Sequence, residues 1–346
     1  MTRTTTQLFF SAMLCTLLFA VAAHAQINTT GKPVIDALGH TVLPLGAVSK
    51  VKPVACGQGF VAGANCYTAV VSCPAIADIG VTFGISSGSA GTIAFISGSG
   101  GTTPGTTSDI QTYQDRGFSI AQFAFDSAWE DAGGNMLAAA CRPATMLDYF
   151  YVPQTNAPYC AQGISAGSSA VGYSLAWYGL DSELDNAELS VGPVFSSIPQ
   201  GCEVPKASRV TVQPTNGQFF DDDPQYVGGE IGSLSRWTGQ QCQPPSGSTP
   251  NVDADWLSQS VVQSSATLDY PNTTLAGWVC NNGLNPSAAQ AYLFFSQVTS
   301  SWALTSLSKC TGAEGIDTAV TPQGAQAENA IESNMLAQCV SHHSHR

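Results

Sequence analysis

The stretch that decides the fold, residues 159–178, reads YCAQGISAGSSAVGYSLAWY. Its first five residues predict a short strand, and the apolar residues at helical spacing after Ala166 predict a helix. The pattern G-x-S-x-G, Gly163 to Gly167, falls at the junction between the two. A serine on such a tight turn is held in a strained conformation that projects its hydroxyl above the sheet. Ser165 is therefore the candidate nucleophile, and the alternative is an ordinary turn in a chain with 34 glycines.

Strand and helix patterns alternate on both sides of this stretch. The predicted strands are residues 67–72, 80–85, 92–97, 118–125, 159–163, 187–195, 273–279 and 302–307, and the predicted helices are residues 135–151, 166–178, 286–298 and 323–338. Such alternation predicts a mostly parallel sheet with helices on both faces. Residues 198–268, rich in proline, glycine, serine and glutamine, lack strong periodicity and are predicted to be an insertion over the sheet, before the last strands.

A second glycine-rich loop, residues 98–101, follows the predicted strand 92–97. Where a serine occupies an elbow of this kind, one amide that stabilises a developing oxyanion belongs to the residue after it, here Ala166. The other comes from a loop after an early strand, and Gly98 or Ser99 is the candidate to supply it. The alternative is a flexible turn. A phosphate-binding loop is disfavoured because no lysine follows these glycines.

Three runs of sequence resemble a known group of proteins. They are AAACRPATML at 138–147, YCAQGISAGSSA with YSLAWYGL at 159–170 and 173–180, and SVGP at 190–193. Together they resemble exported bacterial α/β-hydrolase-fold proteins over most of the chain, from about Gly91 to Cys339. The resemblance implies the α/β-hydrolase fold and a serine hydrolase, and it points to an ester as the substrate.

The partners of such a serine are missing from their expected places. A serine hydroxyl needs a histidine to accept its proton and a carboxylate to orient that histidine, in the chain order Ser, Asp or Glu, His. The loop after the predicted strand 273–279 reads CNNGLN and contains no carboxylate. The loop after strand 302–307 contains no histidine near Gly315, where related hydrolases are expected to place one.

The chain has five histidines, and none is in either loop. They are His24, His40, His342, His343 and His345. A tail tethered through Cys339 would bring His342 or His343 towards Ser165 as the base. The alternatives are a solvated tail or a weak metal-binding tail, and His40 is a further candidate for the base.

Carboxylates offer a weaker base. Glu314 and Asp317 lie in the loop that should supply the base, but a carboxylate with a pKa of about 4 accepts a hydroxyl proton poorly. We expect these two residues to be solvated. The acidic run Asp221 to Asp223 is also predicted to be solvated and not to hold a cation. The sequence predicts neither a metal nor a cofactor.

The first 25 residues are predicted to be an export signal, because an apolar run at 8–23 follows Arg3 and ends in an A-x-A cleavage site at Ala25. The run is shorter than the roughly 20 residues of a membrane-spanning helix, and no later stretch provides one. We therefore expect a secreted or periplasmic protein without a membrane span. Its predicted parts are an extended lead-in (26–55), a hydrolase domain (56–340) and a histidine-rich tail (341–346).

Cysteine usage and charge agree with export. Cleavage removes Cys15 and leaves ten of the eleven cysteines, an even number that predicts about five disulfides. Local pairs such as Cys141 with Cys160 or Cys202 with Cys242 fit the spacing. Cleavage also leaves 10 basic residues against 24 acidic ones, a net charge of about −14 with histidine neutral, which argues against nucleic acid as a partner.

Two functions fit these observations. In the first, the protein is an exported serine hydrolase of carboxylic esters in which Ser165 attacks the acyl carbon with an incomplete or rearranged triad. In the second, it is a catalytically impaired protein of the same fold that binds a small-molecule ligand or a partner beneath the insertion. The intact elbow favours the first function, and the two missing triad partners favour the second.

Overall fold

The computed structural model describes residues 32–36, 38–105, 108–132, 135–151, 157–203, 211–212, 220–221, 255–280, 288–307 and 322–343. The strands are β1 Val34–Ile35, β2 Thr41–Val42, β3 Ala47–Val54, β4 Asn65–Ser72, β5 Ile79–Ile85, β6 Thr92–Ile96, β7 Ser119–Phe125, β8 Tyr159–Ile164, β9 Asn186–Ser190, β10 Thr211–Val212, β11 Phe220–Asp221, β12 Thr274–Cys280 and β13 Trp302–Leu307. The α-helices are α1 Ser108–Asp115, α2 Met136–Phe150, α3 Ala166–Tyr178, α4 Ile198–Glu203, α5 Ala288–Gln297 and α6 Pro322–His343.

Nine strands form one sheet in the order β13-β12-β9-β8-β6-β7-β5-β4-β3. Within this sheet, the five pairs that join β13, β12, β9, β8, β6 and β7 are parallel, and the three pairs that join β7, β5, β4 and β3 are antiparallel. The mostly parallel sheet predicted from the sequence is therefore confirmed. β8 and β9, in the middle of the sheet, are buried along their whole length, as expected for parallel strands that helices cover on both faces.

Helices cover both faces of the sheet. One face packs in a core that contains Leu147 of α2, Val171 of α3 and Phe294 of α5. The other face packs in a second core with Tyr113 of α1 and Met335 of α6. The central strands lie between these two apolar layers, and burial of their side chains is the main stabilising contribution. None of the described helices is long and apolar enough to cross a membrane.

Most predicted elements agree with the observed ones to within two residues. α3 and β13 have the predicted bounds. The predicted strand 187–195 was too long, because Val191 has a φ of 56° and ends β9 at Ser190. The lead-in was predicted to be extended, and part of it is the edge strand β3. α1 was not predicted at all. The end of the predicted insertion packs on the body, where Val261 donates to the Phe195 carbonyl at 3.0 Å.

The described residues contain three disulfides, namely Cys56–Cys66, Cys73–Cys141 and Cys160–Cys339. The predicted local pair Cys141–Cys160 is wrong. Cys141 lies on α2 and is bonded to Cys73, which follows β4, whereas Cys160 on β8 is bonded to α6 on the opposite face. The side chains of Cys202, Cys242, Cys280 and Cys310 lie outside the described part of the chain.

Candidate active site

Ser165 occupies the sharp turn between β8 and α3, at the edge where the parallel strands end. Its φ and ψ are 51° and −121°, a combination that side-chain-bearing residues rarely adopt. Such a conformation costs on the order of 1–3 kcal/mol and persists only where the surrounding structure imposes it. The serine is buried, and it directly precedes the first residue of α3, Ala166. The first amides of the helix and its positive dipole end therefore lie beside the hydroxyl.

The two glycines of the motif are required by close packing. A Cβ on Gly163 would collide with the backbone of Gly167 and lie 2.8 Å from the Cα of Ser168. A Cβ on Gly167 would collide with the Ile96 carbonyl and lie 2.7 Å from the oxygen of Ser97. Neither glycine can carry a side chain unless the backbone moves. The elbow and the end of β6 are thus in direct contact.

The loop after β6, in which the sequence analysis placed the candidate second oxyanion-binding amide, lies against Ser165. A Cβ built on Gly98 would be 3.1 Å from the Cβ of Ser165 and 3.7 Å from its Oγ. Ser99 begins a short 3₁₀ turn, Ser99–Gly101, closed by a hydrogen bond from the Gly101 amide to the Gly98 carbonyl at 3.0 Å. The structure therefore brings the Gly98 loop and the Ser165 elbow together.

Residues that the sequence analysis did not identify hold the Gly98 loop in place. The Trp129 amide donates to the Gly100 carbonyl at 2.8 Å, and the buried carboxylate of Glu130 lies beside Gly100. Arg142 of α2 donates to the carbonyls of Trp129, Asp131 and Ala77 at 3.0, 2.9 and 3.0 Å. Burial lowers the pKa of this guanidinium, and the nearby Asp131 and Glu130 oppose that effect. The arginine thereby fixes the segment on which the Gly98 loop rests.

A second strained residue lies beside the elbow. The Ser165 amide donates to the Ser190 carbonyl at 2.9 Å, and the next residue, Val191, has a φ of 56°. Positive φ is especially unfavourable for a β-branched residue such as valine. Strained backbone of this kind concentrates at functional sites, so the end of β9 belongs to the same constellation as Ser165.

The helix α6 carries the backbone of His342 and His343 away from Ser165. Asn334 donates to Glu188 at 2.7 Å, and Glu188 is paired with Gln162 in the sheet. Five residues later, Cys339 is bonded to Cys160, which is nearer the start of β8. α6 therefore runs against the strand direction, and the backbone of His342 and His343 at its end lies towards the strand starts. The structure does not bring this helix end to the Ser165 edge.

His40 also lies far from Ser165. It faces Asp36, which lies beside Gly179 at the far end of α3, and this 13-residue helix is about 20 Å long. The two loops in which triad partners were sought, 281–287 and 308–321, lie outside the described residues. The same is true of Glu314, Asp317 and the side chains of Asp221 to Asp223.

The sequence matches no protein-family model and no curated protein. Among solved structures, acetyl xylan esterase 1 from Thermoanaerobacterium sp. has a TM-score of 0.53 at 13% identity, covering 82% of this chain and 88% of the esterase. The α/β hydrolase domain-containing protein 10 from mouse has a TM-score of 0.48 at 9% identity, covering 84% of this chain and 99% of the mouse chain.

The mostly parallel nine-stranded sheet and the similarity to the acetyl xylan esterase structure together identify the fold. The chain has the α/β-hydrolase fold.

Proposed function

We propose that this protein is an exported serine hydrolase that cleaves carboxylic esters through Ser165. The observation that carries the proposal is the strained conformation of Ser165 at the strand–helix junction, with the Gly98 loop packed against it. Strain that is maintained at one buried serine, while two neighbouring glycines are required for its turn, is typical of a selected nucleophile position. The fold supports this assignment, and the three disulfides are consistent with export.

The proposed chemistry is acyl transfer. The Oγ of Ser165 attacks the acyl carbon of the ester, its proton passes to a base, and the carbonyl oxygen becomes an oxyanion. The amide of Ala166 and that of Gly98 or Ser99 donate to this oxyanion, assisted by the positive end of α3. The protonated base gives its proton to the departing oxygen, which leaves as the alcohol. Water, activated by the same base, then hydrolyses the acyl-enzyme to the acid and restores the Ser165 hydroxyl.

The base is the unconventional part of the proposal. The direction of α6 argues against His342 and His343, and the length of α3 separates His40 from the serine. Glu314 and Asp317, in the loop after β13, are the candidates that remain near the expected position. Because a carboxylate is a weak base for a hydroxyl, we expect slow acylation.

The experiment is ester hydrolysis by the purified oxidised protein, measured with p-nitrophenyl acetate from pH 3.5 to 9. We expect Ser165→Ala to lower kcat/KM by at least about 100-fold. The matched control is Ser174→Ala, which removes a buried hydroxyl from the same helix and should leave kcat/KM unchanged. An acid limb near pH 4 to 5 supports a carboxylate base, and a limb near pH 6.5 supports a histidine. Equal activity in Ser165→Ala and the unmodified protein would contradict the proposal.

The second candidate function is binding without turnover, in a cleft of the same fold. The observation that favours it is the absence of a carboxylate from residues 280–285 and of a histidine from the loop after β13. Under this alternative, ester analogues bind equally well to the unmodified protein and to Ser165→Ala, and neither protein forms an acyl-enzyme.

A further inference from the structure

A second cluster of chemically active side chains lies at the end of α3 remote from Ser165. It consists of Asp36 and His40, from the lead-in between β1 and β2, and Asp181, just after α3. One ligand atom from each of the three side chains lies within 4.8 Å of the other two. The lead-in and the segment after α3 thus bring their side chains to a single point, although 141 positions separate His40 from Asp181 in the sequence.

The polar atoms that face this point are buried. The Asp36 side chain is only 7% exposed, and its Oδ1 accepts the amides of Leu38 and His40 at 2.9 and 2.7 Å. Its other oxygen, Oδ2, lies 3.3 Å from the Nδ1 of His40. Both of these atoms are shielded from solvent, and apart from this mutual contact neither has a hydrogen-bond partner within the part of the chain that the structure describes.

The electrostatic surroundings favour a positive charge. Asp181 is fully buried and brings a second carboxylate to the cluster. Asp36 lies at the carboxyl end of α3, because a Cβ on Gly179 would be 2.9 Å from its Oδ2. The end of a helix carries partial negative charge, so two carboxylates beside it repel one another and the helix. Burial of like charges is strongly unfavourable unless a cation accompanies them.

We propose that Asp36, His40 and Asp181 bind a divalent transition-metal ion of the Zn²⁺ type. Metal–ligand bonds of roughly 2.0–2.2 Å place neighbouring ligands of a tetrahedral ion about 3.3–3.6 Å apart, which agrees with the 3.3 Å between Oδ2 and Nδ1. One imidazole and two carboxylates suit zinc and its neighbours, whereas Ca²⁺ takes oxygen ligands alone. Water would complete the coordination.

The ion would fasten the lead-in to the body of the protein. At the same end of α3, the Leu43 amide donates to the Trp177 carbonyl at 2.7 Å, so the lead-in already contacts the helix there. The metal would add a strong link between segments that are otherwise joined by few described polar contacts. Its role is structural, and it does not depend on the chemistry proposed for Ser165.

The test is zinc binding by purified, chelator-treated protein that carries no histidine tag. The three tail histidines are first replaced (His342→Gln, His343→Gln, His345→Gln), because they offer an alternative metal site. Isothermal titration with ZnCl₂ should show one equivalent bound with a Kd below about 1 μM. Zinc at 100-fold excess over Kd should raise Tm by about 5 °C, and EDTA should reverse the rise.

His40→Gln and Asp36→Asn should each weaken zinc binding at least 100-fold and abolish the rise in Tm, while the exposed control Asp115→Asn should leave both unchanged. The titration of the parent protein decides the question even if a variant folds poorly. Three results would overturn the proposal. They are no zinc binding below 1 mM by the folded parent, zinc binding retained in His40→Gln, or binding of CaCl₂ without binding of ZnCl₂.

Discussion

Gly98 and Ser165 face each other across the junction of β6 and β8, and a Cβ on Gly98 would lie 3.7 Å from the serine hydroxyl oxygen. The space that a side chain would fill at Gly98 therefore adjoins the atom proposed to attack the substrate. This relationship joins the two glycine-rich loops into one candidate site.

A methyl group at this position should impair the reaction without unfolding the protein. Gly98 has a φ of −66°, which alanine adopts without strain. We expect Gly98→Ala to slow acylation of Ser165 by about 10- to 100-fold and to lower the free energy of unfolding by no more than about 1–2 kcal/mol, because the new Cβ would lie 3.1 Å from the Cβ of Ser165. The control is Gly57→Ala, where a Cβ meets nothing within 4 Å. Unchanged acylation in Gly98→Ala would contradict the placement of the substrate oxygen beside this loop.

The strain at Ser165 predicts an unusual order of stabilities. Glycine normally destabilises a protein relative to alanine, but it relieves the strain of a positive φ. We expect Ser165→Gly to be more stable than Ser165→Ala by about 1 kcal/mol in urea denaturation. In the middle of α3, the order should be reversed, with Ser174→Gly less stable than Ser174→Ala by about 1 kcal/mol. If Ser165→Ala were instead at least as stable as Ser165→Gly, as expected at Ser174, the elbow would be unstrained.

Arg142 should be intolerant of substitution by lysine. Its guanidinium bonds three carbonyls in different directions, and a single ammonium on a flexible stem cannot reproduce that fork. One buried carbonyl, that of Trp129, and two partly buried ones would lose their donor, so we expect Arg142→Lys to lower the free energy of unfolding by about 2–4 kcal/mol in urea denaturation and to slow acylation of Ser165. The exposed control Arg116→Lys should stay within about 0.5 kcal/mol. If Arg142→Lys changed neither the free energy of unfolding nor the acylation rate, Arg142 would not be needed to hold the Gly98 loop in place.

Alkaline pH should unfold the protein through its buried tyrosines. Burial raises the pKa of Tyr159, Tyr173, Tyr178 and Tyr270 above the usual value of 10.0. Their folded-state pKa exceeds the unfolded one, so this stability is fully present below pH 10 and is lost as pH rises above it. Between its unfolded-state and folded-state pKa, each buried phenol lowers the free energy of unfolding by about 1.4 kcal/mol per pH unit. The free energy of unfolding should be flat from pH 8 to 9.5 and fall above pH 10. Tyr173→Phe should lessen that slope, and an identical slope would contradict the assignment.

Local sequence predicted the elements whose ends carry strong signals. α3 was predicted with its observed bounds from the apolar spacing after Ala166. In the structure Ser165 precedes this helix, and Gly179 caps it in the left-handed region with φ 74°. α1, with sequence SDIQTYQD, was missed because it presents only Ile110 and Tyr113 to the core among polar residues. A short helix with so few apolar positions does not stand out from a polar loop.

The sequence predicted those parts of the candidate site in which the backbone conformation requires particular residues at fixed spacing. Ser165 and the Gly98 loop were found because tight turns demand glycine at fixed spacing. Arg142 and Glu130 were missed because their roles arise from contacts between α2 and the segment after β7. The cluster of Asp36, His40 and Asp181 has no motif either, since only the packing of the lead-in on α3 brings it together.

The most direct test of the central claim is covalent labelling with a fluorophosphonate probe, followed by identification of the labelled peptide. The proposal predicts that the oxidised, folded protein is labelled on Ser165, that Ser165→Ala is not labelled, and that Ser174→Ala is labelled at the rate of the unmodified protein. Absence of labelling in well-folded protein, or labelling that persists in Ser165→Ala, would contradict the proposed serine hydrolase. Absence of labelling would leave a binding protein with the α/β-hydrolase fold.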